Sequence, residues 1–143
     1  MKTKLFIIFL FILLAGSLYS QNQYERWNGV FEGGSGNYSF IFDVYQQTIG
    51  INGEKSSPIF TVHRLQRGKK ITLTRDVSAR DISPEKDFTL YTTGMNRTGG
   101  KPLLNASFKQ GAAPKDDTYE ISKYFGFPSG EEDFSTIVLK RVK

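Results

Sequence analysis

His63 is the only histidine in the 143-residue chain, and there is no cysteine. A structural zinc site takes four Cys or His ligands, so none is expected. A Ser-His-Asp arrangement needs a histidine base. His63 lies inside "FTVHRL", between Val62 and Arg64, with no nucleophile motif beside it. Catalytic groups concentrate on loops above a scaffold, so His63 reads as a half-exposed strand residue.

Carboxylates are the other route to catalysis. Asp43, Asp87 and Glu120 fall in or beside strand-like runs, and a facing pair in a cleft could hydrolyse glycosides. No spacing marks such a pair. Asp116–Asp117 and the acids at 131–133 sit in turns and read as solvated loop charges. Neither segment has the alternating oxygen ligands of a calcium loop. "GGSG" at 33–36 lacks the lysine and following helix of a phosphate-binding loop. No catalytic residue, metal or cofactor is therefore expected, which leaves a small barrel enzyme using carboxylates as an alternative to a binding protein.

Binding chemistry has more to draw on. Arg64, Arg67, Lys69, Lys70 and Arg75 cluster around "QRGKK" with no acid among them. Such a tip suits contact with a polyanion through Arg64, Arg67, Lys69 and Lys70. The competing explanation is that the lysines keep a strand edge soluble. Beyond residue 20 the chain has nine Phe, six Tyr and Trp27. Tyrosines join an apolar face to a polar tip and suit a pocket or a contact surface. They also stabilise sheets through cross-strand pairs.

The first twenty residues have the layout of a secretory leader: Lys2 and Lys4, the apolar run "LFIIFLFILL", then "AGSLYS". Ten apolar residues are too few to span a bilayer, which takes about twenty. The expectation is a leader at 1–20 and one all-β domain at 21–143, with no transmembrane segment after cleavage. The product is then exported, periplasmic or secreted, with a bacterial source favoured by the lack of disulfides. Without the two leader lysines, seventeen cations face fourteen acids, a net +3. That excess alone does not call for a nucleic-acid partner, and export argues against one.

The elements that must position these residues are strands. No stretch sustains a 3.6-residue apolar period, whereas several alternate with period two. Residues 38–46 put Tyr38, Phe40, Phe42 and Val44 on a core face, and Ser39, Ile41, Asp43 and Tyr45 on a wet one. Further strands are expected at 26–32, 59–65, 71–75, 88–93, 102–108, 118–125 and 134–142, divided by Gly- and Pro-rich turns. Eight such strands predict an eight-stranded antiparallel up-and-down barrel, with a β-sandwich as the alternative.

"WNGVF" at 27–31, followed by a glycine-rich turn and a long alternating strand, resembles the opening of calycin-type barrels, the lipocalin-like and avidin-like proteins. The resemblance implies that Trp27 closes one end of the barrel, with Arg141 or Lys140 of the last strand packed across its ring. It also implies a small apolar or amphipathic ligand inside, lined by Phe40, Phe42 and Val44, with Tyr91 or Phe108 opposite. Glu25 stands where the lipocalin signature has glycine, and the glycine follows instead at Gly29. The second expectation is an interaction or inhibitor module with a solid core, binding a surface protein or glycan through loops at 76–87 or 126–133.

Overall fold

The computed structural model describes residues 22–79, 82–92, 100–126 and 135–143. The leader expected at 1–20 and most of the loop expected to bind at 126–133 lie outside the described residues, as do residues 80–81 of the other loop.

The chain forms an eight-stranded antiparallel sheet nearly closed into a barrel, plus a small two-stranded sheet. The strands are β1 (Gly29–Gly33), β2 (Ser39–Tyr45), β3 (Thr48–Ile49), β4 (Glu54–Lys55), β5 (Ile59–Gln66), β6 (Lys69–Ser78), β7 (Phe88–Tyr91), β8 (Pro102–Lys109), β9 (Thr118–Tyr124) and β10 (Ile137–Arg141). The large sheet runs β6-β5-β2-β1-β10-β9-β8-β7, so its strands pair with their chain neighbours except at β6 and β7, and β1 pairs with β10. β3 and β4 form a separate hairpin. β6 and β7 flank the seam, which Thr74 bridges by donating its hydroxyl proton to the Tyr91 carbonyl at 3.0 Å.

Alternation explains the walls. Along β2, Phe40, Phe42 and Val44 are buried while Asp43 is exposed. Register then aligns each inward residue with its neighbours: Phe42 faces Phe31 on β1 and Val62 on β5, and Leu139 on β10 faces Tyr119 on β9. Bulges interrupt β6 opposite Val62 and β9 opposite the Asn105–Ala106 step. An extra residue bends a strand and raises its twist, which helps a short sheet curl toward closure.

The first strand begins later than its sequence predicts. Trp27 lies in a 3-10 turn, Glu25–Trp27, and β1 starts at Gly29. Trp27 therefore packs onto the core from just outside the sheet rather than from within a strand. Gly29 has φ +134°, and a Cβ there would stand 2.6 Å from the Arg141 guanidinium and 2.6 Å from the Lys143 carbonyl oxygen. Only glycine lets the last strand cross so close.

Candidate functional site

Inside the barrel the predicted lining residues form a packed core. Tyr119 is its hub, with ring centroids of Phe31, Phe42, Phe108 and Phe60 at 4.7, 5.3, 5.2 and 5.9 Å. Trp27 stacks on Phe108 at 4.9 Å and meets Tyr119 edge-on at 6.0 Å. Phe31, Phe40, Phe42, Phe60, Val62, Leu90, Leu104, Tyr119, Ile121 and Leu139 all have 0 % exposure. A cavity large enough for water would leave accessible surface on its lining, and these residues have none. Of the six residues expected to hold a ligand, Trp27, Phe40, Phe42, Val44 and Phe108 join this core. Tyr91 is half-buried, beyond a bulge after the inward Leu90.

Polar groups gather at both ends of the described strands. Below, the Tyr119 hydroxyl donates to the Trp27 carbonyl at 2.7 Å. Burial pushes the Tyr119 phenol well above the ordinary 10.0 and Asp117 adds to the rise, while Arg141 pulls the other way. Asp117, expected as a solvated loop charge, is instead fully buried. Arg26 reaches both of its oxygens, donating from Nη2 at 2.6 Å and from Nε at 2.9 Å. Arg141 Nη2 donates to it at 3.1 Å and the Gly111 N–H at 2.8 Å. Burial alone raises the carboxyl's pKa, but the bonds from Arg26, Gly111 and Arg141 together outweigh it and hold the pKa below 3.8. Two arginines and a backbone N–H compensate the desolvation that an isolated buried carboxylate could not bear.

Arg141 does not pack across Trp27. It pairs in register with Phe31, and its guanidinium lies 4.6 Å from that ring's centroid. The physical reason is the register of β1 on β10, which places Phe31, not Trp27, beside Arg141. Arg141 also donates to the carbonyls of Arg26 and Asn28, on either side of Trp27, and to that of Pro114. It therefore ties the Trp27 turn to the last strand through the backbone. Lys140 is exposed.

Above, Arg64 is drawn inward. It lies 5.5 Å from the Tyr38 ring and 5.8 Å from the Tyr124 ring, and donates from Nε to the Asn37 carbonyl. Arg64 is thus engaged with Tyr38, Tyr124 and the Asn37 carbonyl, while Arg67, Lys69 and Lys70 are exposed at the β5–β6 tip.

The outward positions of four neighbouring strands build a different feature. Val30 and Glu32 on β1, Ile41 and Asp43 on β2, His63 on β5 and Lys70 on β6 surround a half-open basin of about 410 Å³. Val142 and Lys143 close its near side, because the Lys143 carbonyl accepts from the Val30 N–H at 3.1 Å and the Val142 N–H donates to the Val30 carbonyl at 2.8 Å. Ile41, expected on the wet face, does point outward but is only 6 % exposed, since it forms the basin floor beneath longer neighbours. His63 accepts or shares a proton with the Thr72 hydroxyl through Nδ1 at 3.0 Å. Burial lowers its pKa below 6.5, Lys70 and Arg75 add to the fall, and Asp43 opposes it.

The ion pairs among the described residues are Arg26–Asp117 and Arg141–Asp117, so Glu32, Asp43, Lys70 and Lys143 enter none. No three His, Cys, Asp or Glu side chains of the described residues form a group able to hold a metal ion. No helix of the described residues is long and apolar enough to cross a membrane. Sequence reasoning singled out His63 and Lys70 but missed the basin. The outward parity of β1, β2 and β5 would have revealed it once their meander order was drawn. Compared with family models, with curated proteins and with solved structures, the chain matches none of them.

Proposed function

We propose that this chain is an exported, non-catalytic binding protein that works through the outside of a filled barrel. Export rests on the leader-like residues 1–20. The observation that carries the reading is the zero exposure of ten inward side chains, among them Phe40, Phe42 and Tyr119. A carrier of an internal apolar ligand needs an empty volume, commonly about 300–1,000 Å³, and ten of the side chains that would wall it have no accessible surface. The outer basin supplies concavity and unpaired charge instead, features that favour recognition at a surface.

Native mass spectrometry of the protein purified gently from its producer tests this. The expected result is the bare mass of the chain, without a lipid-like adduct. A stoichiometric apolar adduct, released on denaturation, would overturn the reading and return the binding role to the interior.

A further inference from the structure

We infer that the outer basin binds a small zwitterion with an apolar side chain, of amino-acid to dipeptide size. The inference rests on the reading that binding takes place outside the barrel. It follows from a juxtaposition of three features. The floor is apolar, made by Val30 and Ile41 with Val142 at its side. The rim carries both signs, with Glu32 and Asp43 on adjacent strands and Lys70 and Lys143 on opposite flanks. None of these four charges is spent on an ion pair within the described fold.

A purely anionic ligand would meet two carboxylates, and a purely cationic one two ammonium groups. A ligand with an ammonium and a carboxylate at one end satisfies both kinds of rim charge, and its side chain covers the floor. Its ammonium pairs with Asp43 or Glu32, its carboxylate with Lys70 or Lys143. His63 stands between these groups at the centre of the wall. Its Nδ1 is engaged with Thr72, so the remaining ring nitrogen is the one that can face a ligand. Because the basin is half-open, selectivity comes from charge geometry more than from enclosure, and binding weakens as salt screens the pairs.

The test is a titration of the isotope-labelled protein followed by amide NMR. Leucine and leucyl-leucine are the zwitterionic probes, and N-acetyl-leucine amide is the uncharged one. The expected result is a saturable shift of the Val30, Ile41, His63 and Lys143 signals with the zwitterions and none with the uncharged probe. Asp43→Asn and Lys70→Gln, both at exposed positions, should each weaken binding by about two- to fivefold, the worth of one exposed charge pair. Equal shifts with the uncharged probe, or no shift with any probe, would overturn the assignment of the ligand while leaving outside binding standing. Shifts centred on Phe42, Phe60 and Tyr119 would instead place the ligand in the interior and overturn both.

Discussion

The hydroxyl of Tyr119 donates a 2.7 Å hydrogen bond to the backbone carbonyl of Trp27, 92 residues away in the chain. One bond thereby ties β9 to the Glu25–Trp27 turn. Tyr119→Phe keeps the ring and its aromatic contacts but leaves that carbonyl without its donor. An unpaired buried acceptor costs about 1–3 kcal/mol. Urea unfolding followed by the emission of Trp27, the only tryptophan, should show this loss with an unchanged m-value.

The same residue sets an alkaline limit. Its folded-state pKa is raised by burial, so the unfolded chain releases this proton first as pH climbs past about 10. Stability is unaffected by this group below that pH and falls above it. Spectrophotometric titration should find Tyr119 ionising only with global unfolding. Its ionisation along with the exposed phenols would contradict the packed hub.

Asp117 sets an acid limit of opposite sign. Its pKa is lowered in the fold, so its contribution is present above 3.8 and lost as pH drops through the folded value. Asp117→Asn leaves Arg26 and Arg141 around a neutral amide and should cost about 3 kcal/mol, as for other broken buried pairs. Thermal unfolding at neutral pH measures this, and the variant should lose the steep acid dependence of the parent.

His63 gives a third pH signature. Its folded pKa lies below 6.5, chiefly through burial. The neutral ring is therefore favoured in the fold, and stability decreases as pH falls from 6.5 through the folded value. NMR titration of the imidazole should return a value under 6.5, and His63→Gln should flatten the stability profile over that interval.

The walls of the barrel were legible in the sequence because period-two alternation is a local signal. It marked the inward residues of β2, and the strand expected at 59–65 was found at Ile59–Gln66. The buried Asp117 cluster was not legible. Asp117 sits in a turn beside another aspartate and looks like solvated charge. Its burial depends on Arg26 and Arg141, 91 and 24 residues distant. The partner of Arg141 depends on the register between the first and last strands, which sets Phe31 opposite it. The basin shows a further limit. Ile41 reads as a wet-face residue until the side chains of β1, β5 and β6 are seen to surround it.

The filled interior is tested most directly by energy transfer from Trp27 to a polyene fatty acid. Trp27 is 2 % exposed and stacked within the core, so a fatty acid lodged in the barrel would lie close to the indole and quench it. Titration with cis-parinaric acid is predicted to leave Trp27 emission unquenched apart from dilution. Saturable quenching at one ligand per chain would contradict the filled barrel and the outside binding role built on it.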